Sequence, residues 1–321
     1  MKVFITRKIP EEGISLLKNM FEVELHDSDE PISYESLLKG VKDASGLFCL
    51  LSDRIDKRII ESASKLKVIA NYAAGYNNID IETASLKGIY VTNTPDVLTE
   101  TTADLAWALI LSVARKIVES DQFLRSGKFK GWGPKLLLGN DVFGKTLGIL
   151  GMGKIGTAVA KRGTGFSMDI IYHSPNRKLD SEKSTGAKYV PFDEFISRSD
   201  FLSLNLPLTK NSEHIISTNE FDKMKPSAFL INTARGPIVD EKALVSALKV
   251  GKIKGAGLDV FEFEPKIERE LLSMKNVVLL PHIGSASEYT REKMSQISAE
   301  SIIEVLTGKI PANCVNTGLL K

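Results

Sequence analysis

The sequence predicts an α/β protein of two domains, each built on a parallel sheet. Three observations carry that prediction. The chain has 321 residues, more than one ordinary hydrophobic core accommodates, and domain sizes of roughly 100 to 200 residues then favour two domains. Short β-rich runs alternate with amphipathic stretches along most of its length, the pattern of βαβ units and hence of parallel sheets. A long apolar helix interrupts the alternation once, after which a second series begins.

In the first series, Lys2 to Thr6, Val23 to Leu25, Gly46 to Leu51, Val68 to Tyr72 and Tyr90 to Thr92 read as strands. Thr101-Thr102-Ala103-Asp104 resembles a capping box, in which a hydroxyl and an acidic side chain satisfy free N–H groups at a helix start. The apolar run Leu105 to Ala114 continues that helix and marks a domain boundary. The second series comprises Thr146 to Leu150, Asp169 to Tyr172, Phe201 to Leu204, Ala228 to Asn232, Ala256 to Val260 and Val277 to Leu280. Six strands with intervening helices suit a doubly wound nucleotide-binding sheet. Ser285 to about Leu306 reads as a further helix, and the tail past Pro311 must dock or fray.

Composition excludes several classes of function. The hydrophobic share is 43% and the charged share 26%, values of an ordinary globular protein, and no run supplies the ~18 apolar residues of a membrane span. The N-terminus runs straight into a strand without the apolar stretch of a signal peptide, so the expected location is cytoplasmic. Net charge is +2, with basic and acidic residues interspersed, and nucleic acid is not an expected partner. Cys49 and Cys314 stand far apart, outside any CxxC or histidine-rich setting, which points to no disulfide framework and no metal site.

Directly after the strand Thr146 to Leu150 comes Gly151-Met152-Gly153-Lys154-Ile155-Gly156, followed by a helical pattern. This is GxGxxG in the strand-to-helix context that a dinucleotide site requires. The first glycine allows the tight turn, the second lets a pyrophosphate approach the backbone, and the third lets helix pack on strand. The helix start then offers free N–H groups to the phosphates.

The next strand runs into His173-Ser174-Pro175-Asn176-Arg177-Lys178. Sites that prefer NAD place an acidic residue about 20 residues past the first glycine, on the ribose hydroxyls. Here His173 occupies that neighbourhood, while Ser174, Asn176 and Arg177, around Pro175, offer donors to a 2′-phosphate. NADP(H) is therefore the expected cofactor, with NAD(H) as the alternative.

Three ionisable residues come after three strands of the second series: Arg235, Glu264 and His282. Ligands of open α/β sheets bind outside the strands' carboxyl ends. Taken singly, each residue has a structural explanation as part of a turn, a loop or a strand terminus. Together they match the reduction of a 2-oxo acid. Arg235 can clamp the carboxylate and polarise the carbonyl, His282 can donate the proton, and Glu264 can hold the imidazolium charged. The other histidines, His26, His173 and His214, occupy no comparable place.

The chain resembles the D-isomer-specific 2-hydroxyacid dehydrogenases, and among them the glyoxylate and hydroxypyruvate reductases. The resemblance runs nearly end to end, through Tyr72 to Asp80, Val91 to Val97, Gly151 to Gly156, Asn232 to Gly236, Gly257 to Phe261 and Pro281 to Ser285. It implies catalytic roles for Arg235, Glu264 and His282, the residues reached independently from their chemistry. It also implies that the backbone N–H groups of Ala74 and Gly75 hold the substrate carboxylate, with Leu51 nearby. Thr233, Ala234, Arg235 and Asp259 would then lie near the nicotinamide. The fold it implies is Rossmann-like in both domains. Residues 99–285 would form the dinucleotide-binding domain, and residues 1–98 with 286–321 a smaller, flavodoxin-like substrate domain. A homodimer joined through the cofactor domain is implied as well. Asn77 departs from the family by standing where Asp is common, and Pro175 by interrupting the ribose loop. Competing expectations are an NAD-dependent D-lactate or 3-phosphoglycerate dehydrogenase and, from another class, a dinucleotide-sensing binding module.

Overall fold

The computed structural model describes residues 1–320. The chain divides into two units, Met1–Leu98 with Ser285–Lys321, and Thr99–Gly284.

In the first unit, strands β1 (Lys2–Ile5), β2 (Glu22–Leu25), β3 (Gly46–Leu50), β4 (Val68–Tyr72) and β5 (Tyr90–Thr92) pair in the order β2-β1-β3-β4-β5, all parallel. This is the flavodoxin-like order expected for the smaller domain. The central strands are buried on both faces, which is why β4 reads as a continuous buried run rather than an alternating one. Helix Glu288–Leu306 returns the chain to this unit and packs on helix Glu11–Lys18. Their close approach depends on Gly13, where a Cβ would lie 2.2 Å from Ser295 Oγ. The tail does dock: Val315 N–H donates to Val91 O, Val91 N–H donates to Asn316 Oδ1, and Cys314 bridges Thr92. These contacts cover the outer edge of β5, an edge that would otherwise invite another strand.

The second unit holds β6 (Thr146–Leu150), β7 (Asp169–His173), β8 (Lys188–Tyr189), β9 (Phe201–Leu204), β10 (Phe229–Asn232), β11 (Gly255–Leu258) and β12 (Val277–Leu279). Among the described residues they form one parallel sheet of seven strands, ordered β12-β11-β10-β9-β6-β7-β8. The sequence predicts six. The seventh, β8, is a two-residue edge strand with both side chains exposed, too short and too polar to show a pattern. Helices Thr99–Arg115 and Lys154–Thr164 share one core cluster with β6, and helices Phe192–Arg198, Thr218–Lys223 and Glu241–Val250 share another. Both faces are thus covered, as a doubly wound sheet requires. The helix expected from Thr101 begins two residues earlier, at Thr99.

Candidate active site

All strands of a parallel sheet end on one edge, and ligands bind outside it where the strand order reverses. In the second unit that reversal lies between β6 and β9.

The glycine loop leaves β6 at this point. Gly151 has φ +93°, a conformation L side chains rarely adopt. A Cβ on Gly156 would sit 2.2 Å from Gly151 O, so only glycine lets helix Lys154–Thr164 start this close to the strand. A Cβ on Gly153 would meet nothing within 4 Å. The backbone there is open to a ligand rather than constrained by packing, and it lies at the N-cap of the helix. Met152 is buried while Lys154 is exposed, with Ile155 between these extremes. The helix is held in place by Trp107, whose Nε1–H donates to Val159 O at 3.0 Å.

Two further groups on this edge suit a dinucleotide. Asn205 Oδ1, just past β9, and Thr233 Oγ1, just past β10, are buried without a hydrogen-bond partner in the chain. Buried polar atoms are rarely left unsatisfied, and a bound nicotinamide ribose or carboxamide offers the partners they lack. Glycine cradle, helix start and free oxygens together fit the cofactor.

Past β7, Ser174 is buried and its Oγ accepts the Met152 N–H at 2.8 Å, which ties the loop after β7 to the glycine loop. Pro175, Asn176 and Arg177 are exposed. Arg177 is not a free cation: its Nε and Nη2 donate to the two carboxylate oxygens of Glu182 at 2.7 and 2.9 Å. His173 Nδ1 lies 3.0 Å from Val190 O, and its ring packs against Tyr189 and Phe192.

The structure brings Arg235, Glu264 and His282 together. Asn232 bends the chain after β10, its Oδ1 accepting from Ala234 N and its Nδ2 donating to Arg235 O, both at 3.0 Å. Gly236 then passes so close to the loop after β11 that a Cβ would overlap Phe261 O at 1.8 Å. The arginine loop therefore lies against the glutamate loop. Glu264 Oε1 accepts the Phe261 N–H at 3.0 Å, and its Oε2 faces His282 Nδ1 at 2.9 Å. Burial pulls the Glu264 carboxyl upward, but the His282 hydrogen bond and charge, the Phe261 N–H and Arg235 outweigh it and leave it below the usual glutamate range. An ionised carboxylate at this distance makes Nδ1 the donor, and Nε2 remains the nitrogen that can exchange a proton. Burial lowers the affinity of Arg235 for its proton, opposed by the charge of Glu264. Arg235 also donates from Nη1 to Ala234 O at 2.7 Å.

His282 has φ +55°. Asp259, 1% exposed, holds the chain beyond it, its two oxygens accepting from Ile283 N and Gly284 N at 2.7 and 2.8 Å. Burial raises the Asp259 carboxyl, against those N–H groups and the nearby imidazole. Sequence reasoning gave Asp259 only a place near the nicotinamide and missed this clamp, whose partners stand 24 and 25 residues away. It also passed over His214, whose Nε2 lies 2.9 Å from Glu262 Oε1 on the loop that carries Glu264.

In the first unit, Leu51 comes directly after β3, and Ala74 and Gly75 come after β4, so all three lie at the carboxyl edge of that sheet. A carboxamide pair, Asn71 buried and Asn78 half-buried, joins the two loops. Asn71 Nδ2 donates to Gly75 O at 2.8 Å, and Asn78 Nδ2 donates to Leu50 O and Asp53 O at 3.1 Å.

Residues 107–284 match the family model described as "D-isomer specific 2-hydroxyacid dehydrogenase, NAD binding domain". A glyoxylate reductase of Thermococcus litoralis is 53% identical over 99% of this chain and 98% of its own length. Among solved structures, the TT0316 protein of Thermus thermophilus superposes with a TM-score of 0.93 at 42% identity, covering 98% of this chain and 100% of the other. An NADPH-dependent glyoxylate/hydroxypyruvate reductase of Sinorhizobium meliloti, solved with NADP and malonate, gives 0.86 at 33% identity over 98% and 96% of the two chains.

Proposed function

This chain belongs to the D-isomer specific 2-hydroxyacid dehydrogenases, NAD(P)-dependent oxidoreductases of 2-oxo acids, and on that premise we propose that it reduces glyoxylate or hydroxypyruvate to the D-2-hydroxy acid with NADPH preferred over NADH. The observation that carries the reading is the 2.9 Å contact between His282 Nδ1 and Glu264 Oε2, beside Arg235 on the edge where the glycine loop opens. The dinucleotide, when bound, supplies the hydride. Arg235 holds the carboxylate of the oxo acid and draws electron density from the carbonyl. His282 gives a proton from Nε2 to the carbonyl oxygen as negative charge builds there, a contribution of ~10² to 10⁴ in rate for a well-placed general acid. Glu264, accepting from Nδ1 at 2.9 Å, keeps the ring oriented while that proton leaves Nε2. For the reverse oxidation the same nitrogen accepts the proton.

The backbone N–H groups of Ala74 and Gly75, with Leu51, are our candidates for further substrate contacts, and we assign residues 1–98 and 286–321 to a substrate domain and 99–285 to a cofactor domain. NADPH preference is supported by the lack of an acidic residue at His173 and by the donors of Ser174, Asn176 and Arg177. A homodimer is supported by large apolar side chains exposed along one segment, Val118, Leu124, Phe129, Trp132, Leu138 and Phe143, with Trp132 85% exposed. A groove of about 1140 Å³ in the same unit, lined in part by Val118 and Phe123, adds apolar surface for a second copy. The free thiols Cys49 and Cys314 agree with a reducing, cytoplasmic location.

Initial rates for NADPH and NADH against glyoxylate, hydroxypyruvate, pyruvate and phosphohydroxypyruvate test the proposal. The highest kcat/KM is expected for NADPH with glyoxylate or hydroxypyruvate. A preference for NADH with pyruvate or phosphohydroxypyruvate would assign the chain to the lactate or phosphoglycerate activities, and binding without turnover would make it a sensor.

A further inference from the structure

The loop after β7 leads to a carboxylate that the proposed reaction does not use. Glu182 lies in the first turns of helix Leu179–Thr185, five residues past Arg177, and holds that arginine through both of its oxygens at 2.7 and 2.9 Å. It is fixed from the other side as well. Tyr172, a buried residue of β7, donates its hydroxyl to Glu182 Oε1 at 2.8 Å, and the same hydroxyl accepts the Lys178 N–H at 2.7 Å. The Glu182 side chain is 16% exposed against 63% for Arg177. The cation therefore faces solvent while its counter-charge is anchored to the sheet.

We propose that Glu182 is a specificity-determining residue that weakens the discrimination of NADPH from NADH, acting as a fixed counter-charge that competes with a 2′-phosphate for Arg177; this rests on the reading that the loop after β7 meets the adenosine ribose. Of the five N–H groups of a guanidinium, Glu182 occupies two. The Nε–Nη2 fork, one of the two edges that can grip a phosphate bidentately, is closed. A phosphate must use the remaining edge, on the far side of a carboxylate that Tyr172 prevents from swinging away. The hydrogen bond from Arg177, with that from Tyr172, lowers the affinity of Glu182 for its proton, so the negative charge persists wherever the cofactor binds. A phosphate dianion and a carboxylate on opposite edges of one guanidinium, about 6 Å apart, repel through water and salt by the equivalent of roughly a three- to tenfold change in affinity. NADH carries no such phosphate and is indifferent to the charge. The other ionisable groups of the segment, Lys178, Asp180 and Lys183, have no comparable hold on Arg177.

Glutamine at position 182 separates charge from architecture. Its oxygen can still accept from Tyr172 and from Arg177 Nε, while its amide releases Arg177 Nη2 to a phosphate. The test is the dissociation constant of NADPH and of NADH, measured by cofactor fluorescence on the full-length protein, for wild type, Glu182→Gln and Arg177→Ala. The expected result is a three- to tenfold tightening of NADPH in Glu182→Gln with NADH within twofold, and in Arg177→Ala a loss for NADPH at least tenfold greater than for NADH. If Arg177→Ala shows that selective loss but Glu182→Gln binds NADPH no better than wild type, the counter-charge role is overturned and Glu182 only supports Arg177. If Arg177→Ala leaves the ratio of the two constants unchanged, the ribose reading itself fails, and the role of Glu182 with it.

Discussion

Replacing Glu264 with glutamine tests the proposed proton donor without emptying its surroundings. The glutamine side chain can keep the Phe261 N–H through its oxygen, but it turns an amide donor toward His282 Nδ1. A charged imidazole carries hydrogens on both nitrogens and so meets a donor instead of an acceptor. Hydrogen bonds to charged groups contribute about 1.5 to 3 kcal/mol. The His282 and Glu264 side chains are 24% and 32% exposed, so the lower half of that range applies, about 1.5 to 2 kcal/mol. At about 1.36 kcal/mol per factor of ten, losing this bond lowers the rate of reduction ~10- to 30-fold. On the acid side, wild type keeps the pair until the pH falls through the depressed value of Glu264, below the usual glutamate range, and reduction should persist to that point. Steady-state rates from about pH 4 to 9 at saturating dinucleotide and oxo acid, in both directions, provide the assay. Reduction should fall ~10- to 30-fold in Glu264→Gln and lose the acid-side dependence that the Glu264 carboxyl imposes on the wild type, while oxidation is less affected. Reduction in Glu264→Gln at the wild-type rate would refute the reasoning.

His282→Ala should lower kcat in both directions by ~10² to 10⁴ while dinucleotide affinity, measured by fluorescence, changes little; a main defect in cofactor binding would count against its role as proton donor. Gly153→Ala should melt at the wild-type temperature, since its Cβ has open space, yet bind dinucleotide at least tenfold more weakly because that space faces the pyrophosphate. Gly156→Ala, whose Cβ would overlap Gly151 O, should lose both stability and binding, and equal behaviour of the two variants would show that the loop is not a phosphate cradle. Sedimentation equilibrium should give twice the chain mass, and Trp132→Ser with Leu138→Ser should shift the distribution toward the monomer; a wild-type monomer would remove the proposed dimer.

Much of this architecture is legible in the sequence because it arises from local pattern. Buried strands such as Thr146–Leu150 and Val68–Tyr72 are short apolar runs, and the glycine loop is identified by its place between strand and helix. The edge strand Lys188–Tyr189 is not legible, having neither length nor apolar alternation. Arg235, Glu264 and His282 could be singled out because each comes after a strand, and parallel strands deliver the residues beyond their carboxyl ends to one edge. The sequence conceals which side chains are already engaged. Arg177 reads as a free donor to phosphate, and only the turn from loop into helix shows that Glu182 already holds it. Asp259 and His214 escape for a related reason: their partners, Ile283 and Gly284 in one case and Glu262 in the other, are distant along the chain and become neighbours only when strand ends converge.

The left-handed backbone at His282 places a local strain on the residue proposed as proton donor. A non-glycine residue at φ +55° costs on the order of 1 kcal/mol, a strain that the Asp259 clamp on the next two residues holds in place. Glycine would occupy the position without that cost, and asparagine with less of it. Glycine at position 282 would relax the chain but forfeit the hydrogen bond to Glu264, so the imidazole itself helps to hold its own strained backbone in place. Stabilising campaigns on this scaffold would need to hold the position fixed, or to score turnover alongside melting, because on the proposed mechanism a replacement there that leaves folding intact still removes the proton donor.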